Sequence, residues 1–292
     1  MFIDIHGHVQ KTPGVMRGGK PCFASPEQLI ARHDAVGIER GVLLPMVHVE
    51  CNYVSQSNEE ILEIVASYPG RFIPFCNIDP RAMTNSPDAP LGDLLRYYRD
   101  QGCKGIGEMC ANLPFLDPLM QNLFRHVEEA GFPLTFHVAH RVGGIYGIYD
   151  EPGLPQFETC LQRFPRLRFL GHSQSFWAEM APLKTPADRG GYPGYPIEEE
   201  GVLPTLFRRY ENLYGDLSAG SGHNALARDP DYAVSFLNEF QDRLLFGTDI
   251  CAPDTPTPLV DFLTALRDSK KIDTTVFNKV ARENAVKLLE LE

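Results

Sequence analysis

The stretch Ile3-Asp4-Ile5-His6-Gly7-His8 decides how the rest of this chain is read. Its apolar residues describe a short strand, and in a strand two side chains one residue apart point the same way. His6 and His8 then share a face, where two imidazoles can grip a metal ion together. A single His-x-His is a weak motif, because surface and core histidines produce it as well. Its weight depends on whether later strand ends supply further ligands.

Outward from it, short β-rich runs alternate with longer amphipathic ones. The strands read at 2–6, 40–47, 71–77, 103–108, 133–138, 167–171, 212–217 and 243–248. Ser25-Pro26-Glu27 supplies a cap, a proline at the first helical position and an acidic first turn, which predicts a helix to about Val36. Ser57-Asn58-Glu59-Glu60 starts another, with Ile61, Leu62, Ile64 and Val65 inward. Leu91, Leu94, Leu95 and Tyr98 are spaced for a third, and Pro118 to Ala130 makes a fourth, ended by Gly131 and Pro133. Gln156 to Arg163 is a fifth; 201–210, 224–240 and 257–267 follow strands six to eight, and a helix at about 275–290 closes the chain.

Eight strand–helix units in 292 residues predict an α/β protein, a single-domain (β/α)8 TIM barrel over 1–292. The rival, a doubly wound sheet, wants a Gly-rich phosphate loop after its first strand, and His-Gly-His is not one. Two loops are long for α/β units, 9–25 after strand 1 and the Gly- and Pro-rich 173–200 after strand 6. Both leave the C-terminal ends of strands, where barrels place their active sites, so both read as pocket rim.

Composition narrows the function classes. Apolar residues make up 43%, enough for a large core, and charged residues 22%, too few for a disordered chain. A net charge of −11 argues against nucleic acid or an anionic membrane as partner and leaves a small-molecule substrate; a homo-oligomer stays open. The start, Met1 to Ile5, has no basic leader and is too short for a signal peptide, and no apolar run approaches the about 20 residues that span a bilayer. The seven cysteines (22, 51, 76, 103, 110, 160 and 251) are odd in number and without a Cys-x-x-Cys. They read as reduced thiols of a cytoplasmic protein, neither a disulfide framework nor a zinc finger.

The strand ends carry the chemistry. Strand 1 ends with His6 and His8, strand 4 at Gly107-Glu108, strand 5 at Phe136-His137, strand 6 at Gly171-His172 and strand 8 at Gly247-Thr248-Asp249. In a barrel these ends converge on one mouth, which turns a weak motif into a six-residue constellation.

On these pieces the chain resembles the amidohydrolase superfamily, in particular the amidohydrolase-related branch that includes aminocarboxymuconate-semialdehyde decarboxylase. Glu283-Asn284-Ala285-Val286-Lys287-Leu288-Leu289 also resembles the family's closing helix, with Glu-Asn-Ala in place of Gly-Asn-Ala. The resemblance implies that His6, His8, His137 and Asp249 bind a divalent metal, most often zinc. It makes His172 the catalytic histidine beside it, or a ligand of a second ion. Neutral imidazoles and a carboxylate with an open position suit zinc, which brings the pKa of water down to roughly 7. Asp249 would take the proton of that water as general base, and His172 would polarise the substrate or hold a developing oxyanion.

Glu108 departs from the decarboxylase branch. Gly-Ile-Gly-Glu at the end of strand 4 resembles the Gly-Glu of metal-dependent deoxyribonucleases, where a glutamate bridges two metals. With it, the set could hold two ions; without it, Glu108 would sit in a salt bridge at the mouth with Lys104 or Arg141. Lys104 itself lies too deep to bridge metals. Asp4 shares the face of His6 and reads as a buried acid orienting a histidine. His48, His140, Arg141 and His223 are candidate substrate contacts, and Trp177 either caps the pocket or anchors its loop. His33 and His126 fall within helices and read as structural or solvated.

The leading expectation is a metal-dependent hydrolase of a small amide, lactone or ester, with one or two ions. The alternative is non-oxidative decarboxylation of an unsaturated or aromatic acid. The acidic charge and the lack of a basic stripe speak against a nuclease. A non-catalytic binding barrel would usually have lost Asp249 or His172, and both are present.

Overall fold

The computed structural model describes residues 1–12, 14–50 and 55–292. Among the described residues, eight parallel barrel strands follow one another in chain order: β1 (Phe2–Gly7), β2 (Ile38–Leu43), β3 (Phe72–Pro74), β4 (Ile106–Met109), β5 (Leu134–Ala139), β6 (Phe169–His172), β7 (Leu213–Asp216) and β8 (Leu244–Leu245), with a two-residue strand, Ile148–Tyr149, paired parallel to β5 off this path. Continuous ladders join β1–β2–β3 and β4–β5–β6–β7–β8. Single parallel bridges cross the two remaining seams, Cys76 to Ile106 and Gly7 to Ile250. The chain is an α/β protein with the (β/α)8 barrel architecture that the alternation predicts.

Between the strands run α1 (Pro26–Val36), α2 (Asn58–Ser67), α3 (Leu91–Asp100), α4 (Pro118–Ala130), α5 (Pro155–Arg163), α6 (Val202–Arg209), α7 (Ala219–Ala227), α8 (Pro230–Glu239) and α9 (Pro258–Asp268). Local chemistry sets their ends. At α1, Ser25 accepts from the Gln28 N–H while the Gln28 side chain accepts from the Ser25 N–H, and Gly37 closes the helix at φ 75°. The single helix expected over 224–240 is two. Asp229 caps the Tyr232 N–H and Pro230 takes the first position of α8, so the chain breaks there and restarts. Strands expected to reach residues 47 and 77 stop at Leu43 and Pro74; Pro45 and Pro74 bring no N–H to a ladder.

Two apolar layers hold the barrel. Outside it, Phe115, Phe124, Phe136, Phe157 and Phe169 pack edge to face between strands and helices. Each such ring contributes about 1.5–3 kcal/mol by leaving water. A second cluster joins Ile3, Ile5, Val42 and Leu245 to Ala285 and Leu288 of the closing helical run Thr274–Leu288 and to Leu289 just past it. None of the six described free cysteines forms a disulfide, and Cys51 lies outside the described residues. No described helix is long and apolar enough to cross a membrane.

The segment 173–200 is clamped by a buried ion pair. Arg189 Nε lies 3.2 Å from Glu179 Oε1, and the same guanidinium donates to the carbonyls of Asp150 (2.6 Å) and Glu151 (2.8 Å). Arg189→Ala is expected to lower stability by about 3–5 kcal/mol, because it leaves Glu179 buried without its partner. Urea unfolding measures it; a loss under 1 kcal/mol would show the clamp to be dispensable.

Candidate metal centre

The imidazoles of His6, His8 and His172 are aimed by what holds the far nitrogen of each. His6, in β1, donates from Nδ1 to Asp216 Oδ2 at 2.6 Å, at the end of β7. His8, one residue past β1, donates from Nδ1 to the Leu44 carbonyl at 2.9 Å. A carbonyl only accepts, so His8 Nε2 carries a lone pair, and a carboxylate on His6 Nδ1 turns its Nε2 the same way. These two Nε2 atoms are 3.1 Å apart. Two lone pairs so placed repel one another unless a proton or a cation stands between them.

Two carboxylates close around that point. Glu108 Oε2 lies 3.6 and 3.7 Å from the Nε2 atoms of His6 and His8, and Asp249 Oδ1 lies 3.6 Å from both. Donors at about 2.0–2.2 Å from a tetrahedral ion stand about 3.3–3.6 Å from one another, so these separations match the edges of one coordination shell. The other oxygen of Glu108 faces a different pair: Oε1 is 2.8 Å from His137 Nδ1 and 3.8 Å from His172 Nε2. Asp249 Oδ2 lies 3.8 Å from His172 Nε2. The six strand-end residues expected from sequence therefore form one cluster, and its donor chemistry fits one or two divalent ions. Glu108 pairs with neither Lys104 nor Arg141.

The electrostatics point the same way. Burial would depress the His6 pKa, but Asp216, Asp249 and Glu108 hold it well above the ordinary value. Despite its own burial, Glu108 lies well below the carboxylate range because of His137 and His6. Burial and the charge of His6 push His8 down, and the same two causes bring His172 to about 4. Glu108 and Asp216 are thus held ionised while His8 and His172 are held neutral, an excess of negative charge that a metal cation offsets.

The supporting residues come from several strands. Asp216, which the reading of strand ends passed over, also lies 3.6 Å from His172 Nδ1 and accepts from the Ser218 N–H. The signal for it was legible: Tyr214-Gly215-Asp216 ends β7 with an acid, as Gly107-Glu108 does within β4. Gly247 leaves it room, since a Cβ there would come within 2.9 Å of Asp216 Oδ1 and 2.7 Å of Ser218 Cβ. Asp4 is buried as expected, but its side chain serves other partners than the metal-facing imidazoles. It accepts from His33 Nε2 (3.2 Å), from the hydroxyl and N–H of Thr248 (2.5 and 2.8 Å), and from the backbone N–H of His6. It thereby pins the turn that presents Asp249 and gives the buried His33 its structural role. Asp216→Asn is expected to weaken metal binding about 10–100-fold, the usual cost of losing such an outer hydrogen bond. Competition against a metal chelator reads it out; an unchanged affinity would remove Asp216 from the site.

Above the cluster opens a cavity of about 390 Å³. His8, Glu108, His137 and Asp249 line it, with walls of Pro21, Phe23, Met46, Tyr146, Cys251 and Ala252. The Tyr146 ring stands 4.6 Å from that of His137, and Phe23 stands 6.3 Å from His8. Lys20, at the rim, is exposed and paired with Asp254 at 2.6 Å. Residues 20–23 of the first long loop thus contribute walls, whereas 173–200 contributes none.

The five weaker candidates lie outside this lining. Trp177 is buried beneath the site, with its indole N–H on the Asp216 carbonyl at 2.9 Å, so it anchors and does not cap. His48 is buried against Asp79 at 3.0 Å, within a group completed by Arg81 and Glu50. His140 packs on Gly190, Arg141 is exposed and donates to the Gly144 carbonyl, and His223 lies against Phe262. Sequence reasoning missed Tyr146, Met46 and Cys251, which carry no motif.

A family model described as amidohydrolase matches residues 3–291. No curated sequence matches the chain. Among solved structures, an uncharacterized TIM-barrel protein from Bordetella bronchiseptica is similar at TM-score 0.65 and 18% identity, covering 99% of this chain and 98% of its own. A 5-carboxyvanillate decarboxylase from Sphingomonas paucimobilis gives 0.61 and 17%, covering 100% and 99%. A probable 2-pyrone-4,6-dicarboxylic acid hydrolase from Acinetobacter baumannii gives 0.57 and 15%, covering 99% of each chain. With eight β/α units, ligand-type residues at the strand ends and a family match across nearly its whole length, the chain belongs to the amidohydrolase family.

Proposed function

We propose that this enzyme is a metal-dependent hydrolase of a small, uncharged organic substrate: an amide, lactone or ester. The observation that carries the reading is the convergence of His6, His8, Glu108 and Asp249 on one point at the base of a largely apolar cavity. His6, His8 and Asp249 would hold one ion, His137 and His172 a second, with one Glu108 oxygen facing each group. Imidazole and carboxylate donors favour zinc. When bound, the ion supplies a Lewis acid that makes water a nucleophile near neutral pH.

The remaining steps belong to side chains. Asp249 is the more exposed of the two carboxylates (its side chain is 24% exposed, that of Glu108 6%), so it can reach a water in the cavity and accept its proton. His172 contacts the Ser218 hydroxyl through Nδ1 at 2.9 Å. A hydroxyl can donate or accept, so the Ser218 contact lets His172 turn an Nε2 lone pair toward Glu108 and Asp249, as a ligand of the second ion requires.

Decarboxylation is the second reading, because structural neighbours include 5-carboxyvanillate and 2,6-dihydroxybenzoate decarboxylases. Against it, no arginine lines the cavity among the described residues, and Lys20 is committed to Asp254. Among the described residues, the one side-chain cation that a substrate carboxylate would meet there is this already paired lysine at the rim. The test is a panel of neutral esters, lactones and amides beside a panel of carboxylated aromatics, with acid and carbon dioxide release both followed. Hydrolysis of the neutral panel is expected; carbon dioxide from the carboxylates without hydrolysis would replace this reading with the second.

A further inference from the structure

The opposite end of the barrel carries a second cavity, of about 350 Å³, at the N-terminal ends of β4, β5 and β6. Three cations line it. Arg99 comes from the last turn of α3, Lys104 from just before β4, and Arg168 from just before β6. None of these three makes an ion pair with any described residue. Their bonds go to backbone carbonyls only: Arg99 to Ala130 at 3.4 Å, Lys104 to Glu290 at 3.5 Å, and Arg168 to Leu288 at 3.4 Å and to Gly131.

Those carbonyls lie at the ends of α4 and of the closing helical run, which explains why cations are tolerated there. They leave most of the N–H groups unused, since an arginine offers five and a lysine three. Glu290 also lines the cavity, but its carboxylate is exposed and bonded to none of the three. Phe132, Leu288 and Leu289, all buried, supply an apolar floor beside the charges. Three like charges around one hollow repel one another, and an anion with several oxygens relieves that repulsion while taking the unused N–H groups.

We propose that this cavity binds a phosphate group, free or carried on a small organic body, at a site separate from the catalytic mouth. The apolar floor and a volume larger than phosphate requires favour the organic form. The site lies where barrels keep stability rather than chemistry, so its occupant is an effector or a stabilising ligand.

Calorimetric titration of the metal-loaded protein with inorganic phosphate and with phenyl phosphate, ionic strength held with chloride, tests it. Saturable binding is expected, weakened about tenfold or more by either Arg99→Gln or Lys104→Gln and kept by Glu108→Gln at the other end of the barrel. Tighter binding of phenyl phosphate assigns the organic form; equal binding assigns free phosphate. Arg168 is left intact because its bonds tie two backbone segments together. The proposal is overturned by no saturable binding, by equal binding in the Arg99 and Lys104 variants, or by binding lost only in Glu108→Gln, which would move the phosphate to the metal centre.

Discussion

Asp249→Asn is expected to lower turnover about a thousand-fold while the barrel stays folded and metal binding survives in weakened form. The magnitude is that of a lost general base, about 10²–10⁴-fold. The substitution isolates that role because little else changes. Asp249 stands at φ 55°, a left-handed backbone region that asparagine, like aspartate, enters more readily than most residues with a side chain. Its N–H still reaches the His6 carbonyl, now at 2.8 Å, and Thr248 beside it remains pinned by Asp4. The amide keeps one oxygen for the site and loses the ability to take a proton. Turnover on any hydrolysed substrate, with elemental analysis and thermal unfolding in parallel, checks it. A rate within tenfold of the parent at full metal content would exclude Asp249 as the base.

Complete removal of metal is expected to have the larger effect, reducing turnover to background, with recovery on adding zinc. Chelation leaves the Nε2 atoms of His6 and His8 facing each other at 3.1 Å among three acids. Stability should fall with it: a ligand present at a thousand times its dissociation constant contributes about 4 kcal/mol. The parent protein is expected to hold two ions per chain. Glu108→Gln should hold one or none, because a neutral amide bridges poorly where each carboxylate oxygen now faces its own pair of histidines. Activity that persists after the metal is fully stripped would end the hydrolase reading. One ion in both proteins would leave Glu108 a partner of His137 alone.

Much of this site was legible before any fold was known, for a local reason. His6, His8, Glu108, His137, His172 and Asp249 each end or follow a β-rich run, and a parallel barrel gathers such ends into one mouth whatever the intervening helices do. Asp216 was equally legible as a strand-end acid. The break between α7 and α8 was announced by Asp229-Pro230.

The rest depended on contacts between residues far apart in the chain. The Leu44 carbonyl that fixes the His8 tautomer has no side-chain signature at all. Trp177 lies in a long loop, yet its indole is buried against β7, because a large ring gains more from the core than from the mouth. Which loop lines the cavity was settled by packing. Residues 20–23 join the walls, while the Arg189–Glu179 pair holds 173–200 aside. The sequence by itself determined the barrel and the kinds of donor at its mouth, since periodicity and residue type are local properties. Only the tertiary structure decided where each imidazole points, which acid orients it and what walls the substrate meets, since those are hydrogen bonds and contacts made across the ring of strands.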